Sequence, residues 1–447
     1  MSIELTRLDP TQLRIVIAER QRDGFAATDI DPATADRLER LFHRPINVGD
    51  AVREIIAEVR TGGDAALREW TYRIDGVDVE RSRVDPTAMA AAWDGLEQPV
   101  RNALSAAAQR LREFHAFQVD ALDRGAGGAW LRPVPLGRVG CYVPGGRAAY
   151  PSTVLMSVIP AQVAGVEQIV VASPPAPSGG VHPLVAAAAH LLGVRDVIIA
   201  GGAQAIAALA FGTESLDRVD KIVGPGNAFV TLAKHQVFGA VGIDQLAGPS
   251  EIVVIATSGA DAEMVAADLI SQLEHDPLAW AVCLTDDPDL AGAVSAKFAE
   301  AAGEAARHEI IGMAAGKHAA AVVCASTDEM ISLAAAFAPE HLSLQGTAAE
   351  ALRDSVRNAG AVFVGAMSPV SIGDYIAGPN HTLPTQGAAR YRGPLAVMDF
   401  IRWPSFVQLS DAEFDTVAPV AIRLAEAEGL AAHEQAIRIR MRVRQAS

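Results

Sequence analysis

Long apolar runs are the first thing this 447-residue chain lacks: no stretch reaches the roughly 20 residues that a membrane span requires. The opening MSIELTRLDP has neither a basic n-region nor an apolar h-region, so no secretory signal is expected there. Cysteine is scarce. Cys141, Cys283 and Cys324 form no pair spacing and no metal motif, and an odd, unclustered set fits a reducing compartment. Positive charge is in deficit: 37 Lys and Arg stand against 53 Asp and Glu, a formal charge of −16. Such a surface repels phosphate backbones and argues against nucleic acid as a partner. The basic run IRIRMRVR over 437–444 opposes that trend, and a tail packed on an acidic surface explains it more simply than a polyanion site. These absences leave the expectation of a soluble, cytoplasmic protein without membrane or nucleic-acid partners.

What is present is length enough for two or more domains. Residues 1–30 read as a polar helical arm, and 47–122 as helical, with apolar positions spaced three and four apart in VGDAVREIIAEVRTGGDAALREWTYRI. Around 132–145 the texture turns strand-like and broken, in RPVPLGRVGCYVPGG. Short apolar runs then alternate with helical stretches: QIVVAS, DVIIAGG and KIVGPGN, followed by EIVVIAT, WAVCLT, AAVVCAS, LSLQG and AVFVG. Runs of this kind predict buried parallel strands in doubly wound sheets. The chain closes over 393–447 with PLAVMDFIRW and two helical pieces, and no low-complexity linker interrupts it.

Several constellations carry chemistry. Cys141 in GRVGCYVPGG invites a nucleophile reading, although a small buried residue at a strand end accounts for it. Two glycine turns, AGGAQAI and VGPGNAF, follow apolar strands and bring the amides of Gln204 and Asn227 just behind the glycines. Neither matches a nucleotide fingerprint, so an ordinary βα turn and a nucleotide site stand as alternatives. In DLISQLEHD, Gln272 and His275 lie three apart on one predicted helical face. IGDYIAGPNHTLPT offers Asp374 and His381 in a Gly- and Pro-dense loop, and EAEGLAAHEQA offers Glu428 and His433. Gln, His, Asp and His could close a zinc shell, against the plain alternative of surface polarity. APEHLSL sets Glu340 beside His341 at the start of a predicted strand, as an acid–base couple or as a chance pair at a strand end.

Taken in order, DQLAGPSEIVVIA, ISQLEHD, APEHLSL, GDYIAGPNHTLPT and EGLAAHEQA resemble the motifs of the histidinol dehydrogenase family, and the similarity covers essentially the whole chain. Leu273, where the family more often has Ala, and Gln386, where Gly is usual, depart from the pattern without touching a ligand position. The resemblance implies oxidation of L-histidinol to L-histidine with two NAD⁺, in an α/β homodimer of two related, incomplete Rossmann-like doubly wound domains. The expected organisation is an arm over 1–30, a first α/β domain from 31–140 with 250–392, a second on the NAD side over 141–249, and a tail over 393–447 that reaches the partner's site.

Carried over by motif, one Zn²⁺ per subunit falls on Gln272, His275, Asp374 and His433, and the acid–base roles fall on Glu340 and His341. Substrate contacts fall on Ser250, His341 and Glu428 together with the zinc ligands, and NAD contacts on Tyr142, Gln204 and Asn227. In this reading His341 takes the alcohol proton during the first hydride transfer, and Glu340 activates the water that hydrates the aldehyde. The alternatives are a relative acting on another small alcohol, such as a sulfonated diol, a zinc hydrolase with Glu340 as base, and a non-catalytic nucleotide binder. Glu428 favours a cationic or N–H-bearing substrate over a sulfonate.

Overall fold

The structure is a computed structural model that describes residues 3–23, 32–119, 125–126, 129–145 and 149–445, with backbone alone at 22–23, 32–33 and 125–126. Two compact units divide the chain: Met1–Gln118 with Leu136–Phe400, and Val119–Pro135 with Ile401–Ser447.

The first unit is built on two parallel sheets. The six-stranded one runs in the order Thr6–Leu8, Ala319–Val323, Trp280–Thr285, Glu251–Ala256, His341–Gln345, Ala361–Val364. Glu251–Ala256 and His341–Gln345 are buried at every position, as strands covered on both faces must be. Ile252, Val254 and Ala256 pack one face against Val265, Leu269 and Phe298, while Val253 and Ile255 pack the other against Leu13, Ile17, Met330 and Leu333. The covering helices start on side-chain caps: Asp261 accepts from the backbone N–H groups of Glu263 and Met264, and Ser326 from that of Glu329. The five-stranded sheet runs Asp196–Ile199, Gln168–Ser173, Arg138–Tyr142, Lys221–Val223, Gly242–Ile243.

Three expectations are corrected here. The amino-terminal segment is not a separate polar arm as far as it is described. Thr6–Leu8 pairs with Ala320–Val322, and helix Pro10–Asp23 buries Leu13 and Ile17 on the six-stranded sheet; residues 24–30 lie outside the described set. Helix Val48–Asp75 does not join 250–392. Val48, Val52, Ile55, Val59, Leu67 and Trp70 share a core with Val170, Ala205, Leu209 and Ile222, so helix Val48–Asp75 covers the five-stranded sheet. Helical periodicity shows that a face is apolar but not which sheet it covers. Finally, the second unit begins at Ile401 rather than at 393 and takes 119–135 with it.

Within the second unit, Ser405–Val407 pairs antiparallel with Ala129–Leu131, and Trp130 stacks on Phe406 with ring centroids 5.5 Å apart. Helices Asp411–Ala427 and Ala431–Gln445 follow. The basic run sits on the latter and meets acids, as expected: Arg438 pairs with Glu426 and Glu434, and Arg444 with Asp411 and Asp415. Among the described residues no helix is long and apolar enough to cross a membrane. The three cysteines are all buried and unpaired.

Candidate active site

Helix Thr327–Phe337 ends on Ala338, whose φ of 51° takes the left-handed conformation usual at a helix C-terminus. Pro339 then forbids another turn. The next two carbonyls are tied to the neighbouring segment, Pro339 O to the N–H of Gly360 and Glu340 O to that of Ala361, both at 2.9 Å. His341 opens the strand. The motif therefore packs a helix stop, an acid and a strand start into four residues. It places Glu340 and His341 at the amino edge of the six-stranded sheet, whereas α/β sheets ordinarily bind ligands at the carboxyl edge.

One residue of the adjacent strand holds both. The N–H of Glu251 donates to Oε2 of Glu340 at 3.0 Å, and the N–H of Glu340 returns a bond to Oε2 of Glu251 at 3.3 Å. Nδ1 of His341 lies 3.0 Å from the Glu251 carbonyl and 3.4 Å from Oε2 of Glu340. Burial raises the Glu340 carboxyl well above its usual range, and the carboxylates of Glu251 and Asp374 push the same way against the Glu251 N–H bond. Burial lowers His341 to about 4, with the charges of His275 and His381 adding to it. Imidazole is thus held neutral, and the carboxyl binds its proton tightly.

The expected metal-binding side chains divide between the two units. Gln272 is buried near the end of helix Ala262–Leu273, and His275 stands beyond that helix, its N–H bonded to the Gln272 carbonyl at 3.2 Å. The expectation of one helical face is corrected to a helix end and the turn after it. Asp374 lies in the short helix Val370–Tyr375 rather than in a loop, and burial raises its carboxyl to about 6. The side chains of Gln272, His275 and Asp374 make no hydrogen bond among the described residues, which suits an N and O donor set left open for a cation. His433 belongs to the second unit, where it is exposed, as is Glu428 at the end of helix Asp411–Ala427. Among the described residues no group of three or more His, Cys, Asp or Glu could hold a metal. Ser250 directly precedes Glu251, and its carbonyl accepts from the N–H of Trp280 at 2.9 Å.

Tyr142, Gln204 and Asn227 all lie at the carboxyl edge of the five-stranded sheet. Tyr142 ends its strand, and its hydroxyl accepts from the N–H of Gly202 at 3.1 Å. Gln204 is fully buried, with both amide atoms unpartnered among the described residues, which fits a turn prepared for a polar ligand. Asn227 caps helix Ala228–Val237 through the N–H of Val230. The preceding Gly224 has φ of 112°, and a Cβ there would stand 2.1 Å from the Tyr142 carbonyl oxygen, so only glycine lets this turn close on the strand.

Four residues to which the family motifs assign no role are brought in by the fold. His381 Nδ1 donates to the Asp374 carbonyl at 2.9 Å while Nε2 meets Thr153 Oγ1 at 3.4 Å. Glu251, Arg20 and Gln386 form a hydrogen-bonded cluster behind the Glu340–His341 pair. An acid opening the otherwise apolar EIVVIA was a legible signal for Glu251; for Arg20 no local pattern exists.

A family description for histidinol dehydrogenase matches residues 40–441. The histidinol dehydrogenase of Parasynechococcus marenigrum is 48% identical over 399 residues, covering 88% of this chain and 91% of its own. That of Caulobacter vibrioides is 44% identical over 428 residues, covering 93% and 98%. Among solved structures, the crystal structure of histidinol dehydrogenase from Elizabethkingia anophelis matches with a TM-score of 0.85 at 34% identity, covering 92% of this chain and 96% of that one.

Proposed function

The chain belongs to the histidinol dehydrogenase family, and on that premise we propose that it oxidises L-histidinol to L-histidine in two hydride transfers through L-histidinaldehyde, in the cytoplasm. The observation that carries this reading is the buried pair Glu340–His341, both members bonded to the same residue and driven by burial to a protonated acid and a neutral base. Two proton-transfer groups of different affinity suit a reaction with two separate proton removals.

Tyr142, Gln204 and Asn227 are the residues that would hold NAD⁺, which would supply the hydride acceptor for each half-reaction. Zinc held by Gln272, His275, Asp374 and His433 would supply orientation and polarisation of the substrate, having no redox chemistry of its own. The chain's own part begins at His341, whose Nε2 removes the hydroxyl proton as the first hydride departs. Glu340, once it has released its own proton, takes one from the water that adds to the aldehyde, and the high proton affinity of its buried carboxylate suits it to that task. Ser250 and Glu428 orient the amino-alcohol.

His433 and Glu428 serve this reaction as part of a homodimer in which the second unit of one chain completes the site of its partner. The defining measurement is the yield of NADH per L-histidinol consumed. Two is expected; a yield of one makes the aldehyde the product, and none removes the dehydrogenase reading.

A further inference from the structure

Behind Glu340 and His341 lies an ion pair that the proposed chemistry has not used. Arg20, on helix Pro10–Asp23, reaches Oε1 of Glu251; the two side chains are 8% and 1% exposed. The other arm of the guanidinium donates to the Phe337 carbonyl at 2.8 Å, and its plane lies over the Phe337 ring, 4.2 Å from the centroid. Every polar group of Glu251 is engaged at this point. Oε1 takes Arg20 and the N–H of Gln386 at 2.9 Å, and Oε2 takes the N–H of Glu340. Its own N–H holds the Glu340 carboxyl, and its carbonyl holds the His341 ring.

We propose that Arg20 and Glu251 are positioning residues for the reaction: a buried guanidinium–carboxylate clamp that aims Glu340 and fixes which nitrogen of His341 is the base. This deepens the proposed function and rests on its assignment of Glu340 and His341. A backbone carbonyl only accepts, so the His341 nitrogen facing Glu251 carries the proton and Nε2 keeps its lone pair for substrate. A carboxylate buried against a second carboxylate needs a cation, and Arg20 supplies it. It also pins the last residue of the helix whose end delivers Glu340. The charged and titratable groups that bear on the pair are Glu251 and Asp374 on Glu340, and Glu340, His275 and His381 on His341.

The test compares wild type, Arg20→Met, Arg20→Lys, Glu251→Gln and Arg20→Met with Glu251→Gln, each purified as the full-length protein. The readouts are kcat and KM across pH, NADH binding by fluorescence, and melting temperature. Arg20→Met is expected to lower kcat by about 10²-fold, the usual effect of a misplaced catalytic group, with NADH affinity retained because that edge belongs to the other sheet. The acidic limb of its kcat profile should move to higher pH, since an unpaired Glu251 carboxylate then faces Glu340. Adding Glu251→Gln should return the limb toward its wild-type position and recover part of kcat, because a neutral amide needs no cation. If Arg20→Met does not fold, Arg20→Lys decides: the charge is kept and the fork lost, so kcat should fall while the limb stays.

An unchanged kcat and limb in whichever of these variants folds overturns the clamp. So does a loss of kcat that follows melting temperature alone and is not relieved in the double variant. If wild type gives two NADH per histidinol and these results appear, the clamp fails and the reaction assignment stands. If wild type yields none, the assignment itself fails.

Discussion

Lys234 and Asp244 form an ion pair in which both side chains are 2% exposed. Nζ of Lys234 also donates to the Gly224 carbonyl at 2.9 Å, and Oδ2 of Asp244 accepts the Gly224 N–H at 2.7 Å. The pair thus grips both faces of one peptide turn, the turn that leads into Asn227. Lys234→Met leaves a buried carboxylate without its cation and should cost about 3–5 kcal/mol of stability, read by denaturant unfolding. A cost below about 1 kcal/mol would mean that water reaches Asp244 and the turn is held by other means.

His341 is held near 4, so the ring stays neutral throughout the ordinary pH range. The kcat profile of the wild type should therefore show no inflection from this group between about pH 5 and 9. His341→Gln should lower kcat about 10²- to 10⁴-fold. Steady-state kinetics across pH checks both; an inflection near 6.5 that vanishes in the variant would show the ring to be solvated.

Glu340 binds its proton more tightly folded than unfolded. Its contribution to stability is then full below the ordinary carboxylate range and is lost as pH rises through its folded value. Glu340→Gln cannot ionise, so the melting temperature of the variant relative to wild type should be least at about pH 4 and rise steadily toward pH 8. Thermal melts at five pH values measure this, and a difference that falls with pH would contradict the direction.

Gln386 has φ of 54°, in the left-handed region that glycine adopts without strain. The conformation costs an L-residue roughly 1–2 kcal/mol, and glycine gives back about half of that through a freer unfolded chain. Gln386→Gly should accordingly raise stability by up to about 1 kcal/mol. A drop on calorimetric melting would show the side chain to be anchored.

If the second unit completes the partner's site, two dead homodimers can repair one another. Glu340→Gln and His433→Ala, unfolded together and refolded, give mixed dimers for about half of the population, each with one intact site. Recovery should approach about one quarter of wild-type activity. No recovery, with dimers verified by light scattering, places both residues in the same chain's site.

The parallel strands and the acid–base pair were legible because each is a local pattern: four to six apolar residues between turns, or two polar residues set into an apolar run. The zinc candidates were legible as motifs, though not their setting. Q-x-x-H reads as one helical face until Glu274 caps the helix and His275 falls outside it. Helix Val48–Asp75 announced its apolar face but not its destination on the five-stranded sheet. Arg20 left no trace at all, because its partner lies 231 residues away and an arginine on an amphipathic helix looks like any solvated one.

The separation between Arg20 and Phe337, 317 residues, is also an interval of time. Ribosomes add about 5–20 residues each second, so roughly 15–60 s pass between the emergence of one and of the other. Throughout that interval the strand Thr6–Leu8 has no Ala319–Val323 to pair with, and Leu13 and Ile17 have no Leu333 to cover them. The first helix to leave the ribosome must therefore wait, its apolar face incompletely covered, until about three-quarters of the chain has been made. A holdase on nascent chains would find its binding site there, before Glu340 and His341 existed.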